Sequence, residues 1–288
     1  MTILLSSHHW KMPLRRNMFS IRLLLQELRA RRRLLITWSI IWSLLLVFFT
    51  SVFNSFSKDA AQNAQLFEQL PKGFFDALNI NPSLYLSQIE QFISGQFLFV
   101  YLLAGCIFAF SMGVGAIGKR VDNRTIALLL TSPLSRGKIY MTQLVANLLF
   151  FVVSGTLLCV VSLLAMNNLL SHQEVVSMAY FVCLFAGSSL LFSTFSALGQ
   201  LIGLLTNGEH ATQIGAGIVV VSWFTTSLGN LVNIPAVLQH LSLFQYFDTT
   251  LLRDNFTLST SGSIVLFSVI IALAVAGTIA FRRKNIYL

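Results

Sequence analysis

Along this chain apolar residues come in long runs, and charged residues mark only their ends. Six charge-free intervals result, at residues 34–57, 91–118, 139–173, 175–208, 210–247 and 255–281. Each can hold the ~20 apolar residues that a hydrocarbon crossing requires. Runs such as Phe97 to Ile117 show neither the one-sided stripe of a surface helix nor the alternation of a half-buried strand. A lone strand in hydrocarbon would leave its backbone groups unpaired, and a barrel would need alternating segments of about ten residues, which the sequence lacks. The pattern predicts an all-α integral membrane protein with six transmembrane helices, over residues 34–56, 96–117, 141–166, 176–205, 212–233 and 263–281.

The fifth interval is too long for one crossing. Asn233 and Pro235 break it, and Gln239, His240, Gln245 and Asp248 interrupt the apolar stretch 236–252. So short a stretch predicts a re-entrant or interfacial hairpin on the outer face before the last span. Residues 57–95, with Pro71 and Pro82, are expected as an outer loop with short surface helices. Residues 1–33 form a basic segment without a small-residue cleavage site, so Leu34 to Phe56 is expected as a retained span.

Composition agrees with a lipid solvent: 55% of residues are hydrophobic and 10% charged, against roughly 25% charged in soluble domains. Charge placement then sets orientation. Sixteen of the nineteen Lys and Arg residues fall in 1–33, 118–138 and the tail from Arg282, and only Lys58, Lys72 and Arg253 fall on the other side. Basic loops stay inside, so both termini are expected in the cytoplasm. The net charge of +9 is accounted for by topology and anionic headgroups, and nucleic acid is not an expected partner. Cys106, Cys159 and Cys183 lie singly in three spans, with no CxxC and no histidine at ligand spacing.

Three segments carry more information. From Met18 to Arg33, Met18, Ile21, Leu25 and Leu28 oppose Arg22, Gln26, Arg29 and Arg33. This predicts an amphipathic helix in the cytoplasmic headgroup plane, acting as a topology-setting anchor or as a lever on the first span. In the cytoplasmic loop 118–140, the apolar run Ile126 to Leu130 is stopped by Pro133, and Ser135 is placed to cap the next helix. Such a patch must be covered, by a docking partner or by the membrane surface. The short turn Thr206 to Ala211 carries Glu209 and His210, but neighbouring residues diverge and lack further ligands, which argues against a metal site. Within the spans, Gly113, Gly115, Gly118, Gly199, Gly203, Gly215 and Gly217 allow close helix approach, and Gln143, Asn147 and Gln200 either bond across helices or line a pathway.

The run Arg124-Thr125-Ile126-Ala127-Leu128-Leu129-Leu130-Thr131-Ser132-Pro133-Leu134-Ser135-Arg136 resembles the segment between spans two and three of ABC-2 type transporter permeases. There, acidic residues and Gly-Thr precede a leucine-rich helix and Ser/Thr-Pro-x-Ser-Arg. This chain departs from the pattern at Asp122-Asn123-Arg124-Thr125, where arginine replaces the glycine. The resemblance implies the membrane subunit of an ATP-binding cassette exporter. It places docking contacts for a separate ATPase subunit at Asp122, Thr125, Ile126, Leu128, Leu129, Leu130 and Pro133, and a second set at Asn207, Glu209 and His210. It further implies an elbow helix containing Ile21, Leu25, Leu28 and Arg29, no cofactor on this chain, ATP and Mg on the partner, and a bacterial plasma-membrane location. Half a pathway per chain implies a dimer, with a second copy or a homologous permease.

Other functions find less support. The chain has no GxxxxGK[ST] loop to cradle phosphates. A secondary carrier or channel usually places an ionisable group near mid-membrane, and none is evident. An intramembrane hydrolase would need a nucleophile with a base, or HExxH, whereas His172, His210 and His240 fall at loop positions. Phe244, Tyr246 and Phe247 suit a lipid-like substrate, but interfacial anchoring is the favoured expectation.

Overall fold

Glycine, proline and charge decide where these apolar runs can stop being helical. The computed structural model describes residues 20–58, 88–123, 125–126, 134–169, 177–206, 208–228, 235–249, 252 and 255–284. Its helices are α1 (Ile21–Lys58), α2 (Ile89–Gly95), α3 (Phe97–Asp122), α4 (Arg136–Leu169), α5 (Met178–Leu205), α6 (Gly208–Leu228), α7 (Ala236–Leu241) and α8 (Thr260–Arg283). A 3-10 helical turn, Leu243–Tyr246, follows α7. No strand occurs among the described residues.

α1 differs from expectation. The elbow and the first span form one uninterrupted helix of 38 residues, about 57 Å long at ~1.5 Å per residue. Across the expected joint the sequence reads Leu28-Arg-Ala-Arg-Arg-Arg-Leu-Leu35, without glycine or proline. All of these are strong helix formers, so nothing local stops propagation. At the other end of the bundle, residues 88–95 are not surface structure: Ile89, Phe92 and Ile93 of α2 are buried, and Phe53 meets Phe92 at a ring separation of 5.5 Å. The rest of the expected outer loop, residues 59–87, lies outside the described residues.

Four stretches are long and apolar enough to cross a membrane as expected: α3 with α2 before it, α4, α5 and α8; α1 makes a fifth. α6 fills the interval expected for the remaining span. Its 21 residues would extend about 32 Å, yet Thr212, Gln213, Ser222, Thr225, Thr226 and Ser227 dilute its apolar character. Thus five described helices, rather than six, satisfy length and composition together.

α5 is the hub, packed against α3, α4, α6 and α8. Its interior carries Ser188, Ser189, Ser193, Thr194 and Ser196, all buried. Four of these, Ser188, Ser189, Ser193 and Thr194, bond back to their own helix, as in Ser193 Oγ to the Ser189 carbonyl at 2.6 Å, and Ser196 Oγ accepts from Asn147, so small polar side chains pack closely with hydrogen-bond partners. Glycine works the same way at the α3–α5 seam: a Cβ at Gly113 would lie 2.0 Å from the Ser196 carbonyl oxygen, and one at Gly199 would lie 2.2 Å from that of Phe110. A Cβ at Gly118 would lie 2.5 Å from the Gly203 carbonyl oxygen and one at Gly215 would enter the Phe110 ring, Gly203 is less tight at 3.0 Å from Val114, and Gly115 and Gly217 face open space. Rings fill the remaining core, with Trp42, Phe97, Phe185 and Phe192 around Tyr101. Leu44, Phe48, Val152, Leu164, Ile264 and Phe267 turn outward, as the apolar surface of a helix bundle in lipid must.

The hairpin before α8 packs on protein. Phe244 and Phe247 are buried, Phe244 against Phe195 with ring centroids 5.4 Å apart. Tyr246 donates its hydroxyl to the His240 carbonyl at 2.9 Å. Interfacial anchoring therefore does not describe the two phenylalanines: they close the bundle, because helix hub positions such as Gly187 leave room that the Phe247 ring fills.

Candidate functional site

The start of α1, the end of α3, the start of α4, the α5–α6 turn and the end of α8 meet at one end of the bundle, here termed the basic end. Its construction begins at Asp122. Asp122 closes α3, and its Oδ2 accepts a hydrogen bond from the Gly208 N–H at the first turn of α6. A carboxylate at a helix N-terminus satisfies an orphan amide and opposes the helix dipole favourably. Glycine is needed at 208 because a Cβ there would lie 2.8 Å from the Lys119 amide nitrogen. Two segments 86 residues apart in sequence are thereby joined.

The remaining expected site residues divide. Thr125, Glu209 and His210 are exposed around this junction, and the Thr125 hydroxyl donates to the Arg120 carbonyl at 3.3 Å. Ile126 is not presented outward: it is 1% exposed and packs with Leu23, Ile117, Ile139, Tyr140, Leu204 and Phe281. An isolated isoleucine beside so much apolar surface is buried by its own chain. Leu128, Leu129, Leu130, Pro133 and Asn207 lie outside the described residues. Ser135 does precede α4, with the Lys138 N–H 3.4 Å from its Oγ.

On α1, Ile21 and Leu25 are 57% and 50% exposed, Arg29 is exposed and Leu28 is half-buried. The face turned into the protein is instead Leu23 and Glu27, at 8% and 6% exposure. Glu27 takes both guanidinium nitrogens of Arg120, Oε1 at 2.8 Å and Oε2 at 2.9 Å. Arg31, one turn further along, reaches the same carboxylate at 3.4 Å. Its guanidinium also donates to Gln143 Oε1 at 2.6 Å and to Asn147 Oδ1. Asn147 in turn donates to Ser196 Oγ on α5 at 2.8 Å. Gln200 donates to the Tyr140 carbonyl at 3.0 Å, so the three polar residues noted within the spans all bond across helices.

Sequence reasoning passed over Glu27, Arg31 and Arg120. A signal existed: Glu27 is the only acid in the first 58 residues, and it shares a helical stripe with Leu23 and Arg31. Lone acids amid basic residues call for a partner.

Burial pushes the Glu27 carboxyl up, but the hydrogen bonds and charge of Arg120, aided by Arg31, more than offset this and hold it below the ordinary carboxylate range. Burial also lowers the Arg31 guanidinium. A carboxyl with a depressed folded-state pKa contributes stability that is present above its unfolded pKa, near 4.5, and lost as pH falls through the folded value. Acidification from pH 7 to below that range should therefore lower the melting temperature of the wild-type chain more than that of Glu27→Gln. Equal acid sensitivity in paired thermal melts would contradict the assignment.

The end of α8 completes the junction. Lys284 donates to the Leu204 carbonyl, Arg136 donates to the Lys284 carbonyl at 2.6 Å, and Phe281 is fully buried. A cation on the last carbonyls of α5 complements that helix's dipole. Among the described residues, no three His, Cys, Asp or Glu side chains converge as metal ligands would. The basic end thus carries exposed polar groups set on a junction that joins several helices.

No curated protein matches the chain significantly. The family model described as ABC-2 family transporter protein matches residues 21–285, from the first turn of α1 to beyond α8, and the chain therefore belongs to that family of membrane transport proteins.

Proposed function

We propose that this chain is the permease subunit of an ATP-binding cassette exporter. A separate ATPase subunit, carrying ATP and Mg, docks on the basic end, and its closure drives export of a substrate across the plasma membrane. The basic end is cytoplasmic in this reading, α6 is the sixth crossing, and two permease chains, identical or homologous, form the pathway. Both chain termini then lie inside.

The observation that carries the reading is the Asp122–Gly208 junction. The two segments that the family resemblance assigns to ATPase contact are held together by it, with Thr125, Glu209 and His210 exposed around it. A partner seated there would push α3, α5 and α6 at once, and packed helices respond to such a push by rigid-body switching between discrete arrangements. The sixteen-to-three split of Lys and Arg between the two sets of loops in the sequence supports its cytoplasmic placement. Asp122 and Ile126 act in this reading by shaping the docking surface, and the leucines at 128–130 supply its apolar contact.

Replacing Leu128 and Leu129 together by glutamate places two charges in that contact. Truncating or charging a buried interface anchor costs about 2 kcal/mol or more each, so the ATPase should no longer co-purify with the permease from detergent extracts. Undiminished co-purification of a well-folded double variant would sink the docking claim. Transport by the purified chain alone in liposomes, driven by an ion gradient, would instead support an ATP-independent carrier.

A further inference from the structure

The Glu27 cluster has a composition that helix packing alone does not call for: one carboxylate set between two guanidiniums, with Glu27 and Arg31 on α1 and Arg120 on α3. Arg120 lies two residues before Asp122 on α3, so the cluster continues the junction that anchors α6. Followed outward from that junction, the bonds run in sequence. Gly208 of α6 holds Asp122 of α3. Arg120 of α3 holds Glu27 of α1 in two-pronged fashion. Arg31 of α1 holds Gln143 and Asn147 of α4, and Asn147 holds Ser196 of α5.

We propose that Glu27 is a positioning residue that clamps the first turns of α1 to the end of α3, so that displacement of the 119–126 segment carries α1, α4 and α5 with it as one body. This inference rests on the reading of the basic end as the ATPase-facing side, and deepens it. The clamp differs in kind from the contacts around it. Farther along, α1 meets α3 through ring packing such as Trp38 on Phe108, stacked with centroids 4.0 Å apart. Apolar contact is non-directional and allows helices to slide. A paired guanidinium–carboxylate bond fixes both separation and orientation. The carboxylate is also what lets Arg31 and Arg120 share the site. Without it two like charges face one another, Arg31 with a side chain only 12% exposed, and α1 is driven from α3 where it is now drawn to it. Glu27 has no competing cation to choose: the other arginines of the segment, Arg22, Arg29, Arg32 and Arg33, point outward.

The test uses the full chain with its co-purifying ATPase in lipid nanodiscs. A single spin label is placed at the outward-facing Ser51 on α1, and the distance distribution between the two permease chains of the assembly is measured with and without ATP plus vanadate. In the wild type the nucleotide shifts the distribution. Glu27→Gln should retain the ATPase and hydrolyse ATP, yet lose the shift, because the push on α3 no longer reaches α1. Arg120→Lys keeps the charge but loses the two-pronged geometry, and should give a reduced shift even if Glu27→Gln proves too unstable to assemble. A full wild-type shift in either variant overturns the clamp. A wild-type chain that retains no ATPase, or shows no shift, overturns the exporter reading itself and with it the clamp's role, a result distinct from failure of the variants alone.

Discussion

Gly113→Val should leave a chain that cannot close its α3–α5 seam, and it should be among the most damaging single substitutions in the protein. The first added carbon would lie 2.0 Å from the Ser196 carbonyl oxygen and 2.8 Å from the Gln200 amide nitrogen. Both are backbone atoms of the hub helix and cannot rotate aside. Overpacking a tight core costs about 1–3 kcal/mol when side chains can adjust; here two helices must separate, so the upper end or beyond is expected. Separation would also strand the aromatic contacts of Tyr101 with Phe192. Gly115→Val, two residues away, is the internal control, because a Cβ there meets nothing within 4 Å. Thermal melting in detergent should show a large loss for the first and little change for the second. Similar melting temperatures for the two would refute the close approach.

Glu27→Ala should be the next most costly change. Removing one partner from a buried ion pair leaves its counterion uncompensated, which costs about 3–5 kcal/mol. The Arg120 side chain is 27% exposed and the Arg31 side chain 12%, so water can screen part of the loss and the lower end of that range is expected. Arg120→Ala should cost less, since Glu27 keeps Arg31 one helical turn away. The order Glu27→Ala worse than Arg120→Ala follows from charge arithmetic, two cations against one anion. Unfolding titrations of the two variants would show it directly, and the reverse order would mean that Arg120 supports the fold by its packing and not by its charge.

Much of the architecture was legible before any coordinates. Charge-free intervals located α3, α4, α5 and α8 to within a few residues of their observed ends, because a helix in lipid must satisfy its backbone internally and keep charges at its limits. Glycine placement likewise announced close helix approach. Periodicity within a span, however, is weak where every face is apolar, so it could not tell Gly113, which touches backbone, from Gly115, which touches nothing. The elbow joint failed for a different reason. Amphipathicity changes between residues 21 and 40, but a change of face is not a break, and no glycine or proline supplies one.

The candidate site was legible as segments and illegible as contacts. The order of the segments could be read along the chain, but the expected 206–211 turn is shorter in the structure, since α6 begins at Gly208, and residues 127–133 lie outside the described residues. That Asp122 would cap α6, and that Ile126 would be buried by Leu23 and Phe281, depends on groups far apart in sequence. The same holds for Glu27, whose partners are 93 and 4 residues away.

Sequence by itself determined the solvent, the helical class, the approximate limits of four of the long helices and the basic asymmetry between the two ends, since all four follow from the transfer of local chemical groups between water and lipid. Tertiary structure alone decided which face of α1 turns inward, which glycines are indispensable, and that one carboxylate would sit between two arginines. Those outcomes depend on distances between helices, and local composition carries no information about such distances until the helices have packed.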